Sequence, residues 1–401
     1  VVSAGEADAF SPAVDDETLG ILAGESEIAA KLQGICLIGT VLKSFLTAKQ
    51  EDPTTGRKDY KSGLIGFIKP DGRLHTRISQ MLKTGRLASY EPNIMNMPNQ
   101  QEPAIQAAAG GGIPSLRSAF TAPPGRLIIA SDYTQAEIAT IAYLSGDVKL
   151  IEAVRTGQDM HGVVCKQMFK LDCDVSEVKK KYKALRVAAK SILFGLLYGR
   201  GAAAIAREVE KAGVSCSIEQ AKEFVAQFME EFSTVAELIA STHAEVEQQG
   251  FVETLWGRRE YFYEVAGDDG DILARQKRMA FNFKIQGYVA DLLRKALINL
   301  REYRKEHGLD YRLILTVHDS IMLETAVECA EHVASVVMPW CMTDNALAPK
   351  LGFKISSDVD VYRRWDEALL YDEMLDMGFS DGFAQEMCKR DQNGDIVRRA
   401  A

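Results

Sequence analysis

No stretch of this sequence approaches the ~18 consecutive apolar residues of a membrane-spanning helix, and its start carries no cleavable signal pattern. The first absence points away from a helical membrane span. Cysteine is scarce and unpatterned. The seven (Cys36, Cys165, Cys173, Cys216, Cys329, Cys341, Cys388) are odd in number and form no CxxC pair, so neither a zinc site nor a disulfide framework is indicated. They read as reduced thiols of a cytoplasmic protein, in a bacterium or a host cell. Excess positive charge is missing too: 47 Lys and Arg face 56 Asp and Glu, a net charge of −9. That argues against a passive nucleic-acid coat, but not against an enzyme with a basic cleft, because phosphate contacts depend on local charge. Six histidines are scattered, and only His161 and His318 sit in informative contexts. There is no internal repeat and no low-complexity tract.

What remains is the composition of a globular enzyme, 47% hydrophobic and 26% charged over 401 residues, long enough for two or three subdomains. The chain starts with Val, and residues 1–25 are polar and punctuated, so a longer protein is expected upstream. Residues 26–50 show a helical apolar pattern. Short strand candidates follow between Gly66 and Pro98, then a flexible Ala107–Pro114 loop. From Asp147 to about Arg278 the pattern is helical, strongest over 176–197, 217–248 and 274–305. Strands return at Tyr311–Val317 and Ser320–Glu324, read as a hairpin with His318-Asp319 at its turn. A helix (326–342) and a last strand near Lys354–Val361 follow.

Two aspartates stand out. Asp132 ends the apolar run Leu127-Ile-Ile-Ala-Ser, and Asp319 follows Leu315-Thr-Val-His. Taken singly, each is an ordinary strand-terminating turn residue. As a pair, strand-end acids can hold two divalent cations roughly 3.5–4 Å apart, as in-line phosphoryl transfer requires. Between them Arg186, Lys190, Phe194 and Tyr198 recur every fourth residue, forming one slanted helical face with its cations towards the N-terminal end. A triphosphate near the cations would leave its sugar and base against the aromatics. Gly195 and Gly199 are expected to let a backbone or base pair approach closely. Glu137 reads equally as a first-turn acid. The lysine-rich stretch Lys179–Lys190 reads equally as a solvated helix face.

Here the residues resemble a family. Asp132-Tyr-Thr-Gln-Ala-Glu137 is similar to the first catalytic motif of the DNA polymerase I family (family A). Arg186-x3-Lys190-x3-Phe194-Gly-x2-Tyr198-Gly199 is similar to its fingers helix, and Val317-His-Asp319 to its third motif. Thr84-Gly-Arg86 with Asn93, Gly250–Arg259, and Arg278-x3-Asn282-x3-Gln286-Gly287 agree in order with three further segments. The resemblance spans roughly residues 26–367.

It implies an α+β right-hand polymerase fold: an antiparallel-sheet palm, helical fingers and a truncated thumb base. The expected boundaries are a thumb remnant at 1–60, palm at 61–150 and 278–367, fingers at 151–277, and an extension of unknown role at 368–401. It implies template-directed DNA synthesis from a primer 3′ end, with primer–template DNA and deoxynucleoside triphosphates as partners. Two Mg²⁺ ions, replaceable by Mn²⁺, would be held by Asp132, Asp319 and the Tyr133 backbone carbonyl. Arg186, Lys190 and His161 would bind the triphosphate, with Gln135 among the substrate-binding residues. Phe194 and Tyr198 would flank the sugar and nascent base pair, and Glu137 would be the gate against a 2′-hydroxyl. Arg86, Asn93, Arg278, Asn282, Gln286 and His318 would contact primer or template.

Several positions depart from the family pattern. Ser320 stands where a Glu is general, Val187 where a second Arg is common, and Leu193 where an Asn is common. Such divergence suggests a phage or other viral source. Any proofreading or 5′-nuclease domain would precede residue 1. Two other readings stay open: a single-subunit phage-type RNA polymerase, disfavoured by Glu137 and Phe194, and a silent polymerase-like DNA-binding subunit, disfavoured by the retained acids and cations.

Overall fold

The computed structural model describes residues 26–46, 63–97, 115–197, 200–211, 214–262, 270–343, 354–390 and 394–398. Much of the expected thumb remnant, and Tyr198 with Gly199, lie outside them.

In chain order, helix α1 (Glu27–Val41) and a small hairpin of β1 (Arg77–Ser79) and β2 (Ala88–Tyr90) precede the first long strand, β3 (Arg126–Tyr133). Seven helices follow: α2 (Ala136–Ser145), α3 (Val148–Arg155), α4 (Met160–Met168), α5 (Val175–Lys181), α6 (Lys183–Leu197), α7 (Ala202–Lys211) and α8 (Ile218–Glu231). After them come α9 (Ser233–Gln249), the hairpin β4 (Phe251–Glu253) and β5 (Arg259–Tyr261), and the long α10 (Gly270–His307). The chain returns through β6 (Tyr311–Val317), β7 (Ser320–Ala326), α11 (Val327–His332), α12 (Met338–Met342), β8 (Ser357–Arg364) and β9 (Glu367–Ala368). It closes with α13 (Tyr371–Asp376) and α14 (Asp381–Met387). The helical stretches expected at 176–197 and 217–248 are each divided, at Tyr182 and at Phe232.

Five strands form one antiparallel sheet in the order β6-β7-β3-β8-β9. Its central strand β3 alternates strictly, because successive side chains point to opposite faces. Leu127, Ile129 and Tyr133 face a core built with α10, α11 and α12, whereas Ile128 and Ala130 face a smaller cluster with Met322 and Trp365. That parity puts Asp132 on the second face, at the strand's open end. A separate core under α2–α9 packs Ile141, Val164, Ile192, Ile205 and Phe228. Helix α10 joins both: Phe281 and Ile285 belong to the helical lobe, Tyr288, Leu292 and Leu300 to the sheet's core. At ~1.5 Å per residue it is about 57 Å long, which is how one helix reaches both.

The extension beyond residue 367 is part of the sheet's core. Tyr371, Met374, Phe379, Phe383 and Cys388 are buried with β3 and α10. Ser380 donates its hydroxyl and its backbone N–H to Glu331 on α11.

Candidate active site

Register brings the two aspartates together. Asp132 pairs across the sheet with Ser320 on β7 and with Asp358 on β8, and Asp319 occupies the tight turn between β6 and β7. The turn is made at His318, whose φ of 53° lies in the left-handed region that non-glycine residues seldom adopt. Both carboxylates open on a groove of about 320 Å³ lined also by His318, Ser320, Asp360 and Tyr362. Asp132 is exposed at the groove, yet desolvation by the protein crowded around it, and next the nearby charge of Asp319, push it up to about 6, with Asp358 and Asp360 adding to the rise. Asp360 is likewise raised, chiefly by burial. Among the described residues no group of three or more His, Cys, Asp or Glu side chains forms a closed metal cage.

Arg86 bridges this pair to Glu137. Its Nη2 donates to Glu137 Oε1 at 2.8 Å and lies 3.3 Å from Asp319 Oδ2. The loop that carries Arg86 is held by a residue the motif pattern did not single out, Arg258 after β4. Its Nη2 donates to the carbonyls of Thr84 (2.9 Å) and Gly287 (3.0 Å), and its Nε to Asp291 (2.9 Å). A Cβ on Gly85 or Gly287 would fall 2.6 to 2.9 Å from that guanidinium. A side chain at either place would push the guanidinium off the carbonyls it holds.

A second group lies on the helical lobe. Along α6, Arg186 is half-buried, Lys190 is exposed, and the Lys190 Nζ sits 5.7 Å above the Phe194 ring. Arg186 makes a two-pronged ion pair with Asp159 at the start of α4, its Nη2 donating to Oδ1 at 2.7 Å and its Nε to Oδ2. Burial raises the Asp159 carboxyl, but the bond and charge of Arg186 outweigh it and leave it below the ordinary range. His161 is buried against Phe194 (5.8 Å between rings), and its Nε2 has no hydrogen-bond partner. Burial, then the charges of Lys190 and Arg186, push it down to about 4, so the ring is neutral at pH 7. Gln135, with a left-handed φ of 51°, links the two groups: its Oε1 accepts from the Met160 backbone N–H at 3.2 Å.

The other expected residues divide. The Tyr133 ring is buried in the core on the face of β3 opposite Asp132, and its hydroxyl donates to the Met342 carbonyl at 2.7 Å. Asn93 is exposed and accepts from the Ser89 hydroxyl at 2.9 Å. Arg278, Asn282 and Gln286 lie one turn apart on α10, with Arg278 exposed and Asn282 Oδ1 buried without a partner. Gly195 does not leave room for a base pair: a Cβ there would lie 2.8 Å from Ile205 of α7, so its small size serves helix–helix packing.

The family model for DNA polymerase family A matches residues 40–367. This chain belongs to family A. DNA polymerase I of Pseudomonas aeruginosa is 33% identical over 315 residues, 78% of this chain and 32% of that relative. The thermostable DNA polymerase I of Thermus filiformis is 35% identical over 314 residues, 78% of this chain and 35% of its own length. Among solved structures, the POL domain of Pol1 from M. smegmatis, in complex with DNA primer-template and dNTP, aligns with a TM-score of 0.70 and 26% identity. It covers 91% of this chain and 58% of that one. The chain thus spans about a third of the length of the curated relatives it matches. Family A polymerases generally use divalent metal ions. The right-hand fold expected from the motifs stands, with its antiparallel sheet and helical lobe. The phage or viral source is not borne out, since these relatives are bacterial. Among the described residues no helix is long and apolar enough to cross a membrane.

Proposed function

We infer that this chain carries the polymerase activity of a template-directed DNA polymerase of bacterial cytoplasm, adding deoxynucleotides to a primer 3′ end. The observation that carries this is the convergence of Asp132 and Asp319 at one groove, tied by Gln135 to the element that supports the Arg186/Lys190 face. In this reading the sheet (61–150 and 278–367) is the palm, residues 151–277 are the fingers, and 1–60 belong to a thumb.

The donor set fits Mg²⁺. Two hard carboxylates meet at strand ends, and Asp132 stays raised to about 6 although Arg86 stands 3.3 Å from Asp319, so the pair favours further positive charge. Mg²⁺ typically takes one or two carboxylates and completes its shell with water and substrate phosphates, so no closed cage is required. Asp132, Asp319 and the Tyr133 carbonyl would hold two ions, with Mn²⁺ able to replace Mg²⁺. When bound, they supply Lewis-acid neutralisation of the reacting phosphate oxygens. The chain's own groups do the rest. Arg186 and Lys190 offset triphosphate charge, and His161 beside them joins in binding it. Phe194, with Tyr198, stacks against sugar and base. Glu137 excludes a 2′-hydroxyl. Arg86, Asn93, Arg278, Asn282, Gln286 and His318 orient primer and template.

Primer extension with Mg²⁺ tests this, using matched deoxy- and ribonucleotides. Asp132→Ala and Asp319→Ala are each expected to abolish extension while duplex binding persists, since a lost ligand removes several kcal/mol of transition-state stabilisation. Retention of more than about a tenth of the rate by either variant, or efficient ribonucleotide use by the unmodified chain, would defeat the reading.

A further inference from the structure

We propose that Asp159 is a positioning residue for the incoming nucleotide: its carboxylate presets Arg186, beside His161, as a ready-made grip for a triphosphate. This rests on the reading that the α6 cations receive that triphosphate.

The geometry is specific. A guanidinium offers five N–H donors in one rigid plane. Asp159 takes the edge formed by Nε and Nη2, which fixes the plane and leaves Nη1 without a partner among the described residues. The same carboxylate stands 3.9 Å from His161 Nδ1, too far for a hydrogen bond, and His161 Nε2 is buried and unpartnered. An unpartnered guanidinium edge and an unpartnered imidazole nitrogen thus lie around one acid. The seat of that acid is built. A Cβ on Gly162 would come within 3.0 Å of Asp159 Oδ2 and 3.2 Å of Val175, so any larger residue there presses on the carboxylate. Arginine is rotamer-rich, and ordering it before the ligand arrives removes that cost from the binding step. A carboxylate beside a phosphate grip also repels phosphate, so the two effects differ in sign and can be separated.

The test is a double-variant cycle on single-nucleotide insertion with Asp159→Asn, Arg186→Ala and both together. Primer–template affinity and inhibition by inorganic tripolyphosphate are measured alongside. If Asp159 positions Arg186, Asp159→Asn raises the nucleotide KM about tenfold, changes kcat far less, and leaves primer–template affinity unchanged. Tripolyphosphate inhibition weakens in parallel. In the Arg186→Ala background the same change adds less than about twofold, because its partner is already gone. Gly162→Ala, which displaces the carboxylate without deleting it, moves KM in the same direction by less. An unchanged or lowered KM for Asp159→Asn, with Arg186→Ala raising it, overturns the proposal. So do fully multiplicative effects in the double variant. If Arg186→Ala itself leaves KM and tripolyphosphate inhibition unchanged, the triphosphate reading of α6 fails and the proposal falls with it.

Discussion

Removing the charge of Asp132 should make the metal-free protein more stable, even as it ends activity. Its carboxyl is raised from 3.8 to about 6, first by burial and then by Asp319. Between those two values the native state binds a proton that the unfolded chain has released. Stability is therefore highest below about 3.8 and declines as pH rises through about 6. Taken whole, the shift corresponds to roughly 3 kcal/mol at ~1.4 kcal/mol per tenfold. Asp132 opens on the groove, and screening by water reduces this to about 1 kcal/mol. Asp132→Asn keeps the shape and deletes the charge. At ~2.1 cal/mol/K of unfolding entropy per residue, a chain this long gains about 1 °C in melting temperature per kcal/mol. The assay is thermal unfolding with a chelator present, at pH 5 and pH 8. The variant should melt about 1 °C above the parent at pH 8, with the gap about halved at pH 5. Adding Mn²⁺ should reverse the order, because only the parent keeps both ligands. Identical melting at pH 8, or a wider gap at pH 5, would refute the reasoning.

Lys190→Ala should cut kcat/KM for nucleotide at least about tenfold with primer–template affinity nearly unchanged, since an exposed cation over Phe194 is placed for triphosphate rather than duplex; loss of DNA affinity instead would relocate α6 to a DNA-binding face. Glu137→Ala should raise ribonucleotide incorporation relative to deoxynucleotide by one to several orders of magnitude, about 1.4 kcal/mol for each tenfold. It also releases Arg86 from its 2.8 Å bond, so deoxynucleotide insertion should slow too; an unchanged sugar ratio in matched insertion assays removes Glu137 as the gate. Phe383→Ala should cost about 3–5 kcal/mol of stability in denaturant unfolding, as expected of a buried aromatic, and a neutral result would mean that the C-terminal helices are not part of the sheet's core.

Local chemistry alone accounts for much of this protein. Alternation in Leu127–Asp132, the hairpin around His318-Asp319 and the fourfold spacing from Arg186 to Phe194 are properties of short segments, and the elements form where those patterns lie. Family membership was legible for the same reason, because each motif is a compact run of residue types. Partnership across the chain was not. Asp132 meets Asp319 only because β3 pairs with β7 in one register, and a slip by one residue would turn Asp132 to the other face. Arg258, an unremarked arginine within a motif, becomes the clamp on Gly85 and Gly287 only when a hairpin, a loop and α10 converge. Asp159 stands out in no motif of the sequence, and packing makes it the partner of Arg186. Gly195 suggested space, and Ile205 fills it. The extension after residue 367 has no role legible in its sequence, and its aromatics lie buried in one core with β3. Sequence by itself determined the elements, the family and the reactive side chains, because periodicity and residue type act over a few neighbours. Only the tertiary structure decided which charges face each other, because electrostatic and packing partners are set by distances that chain order does not encode.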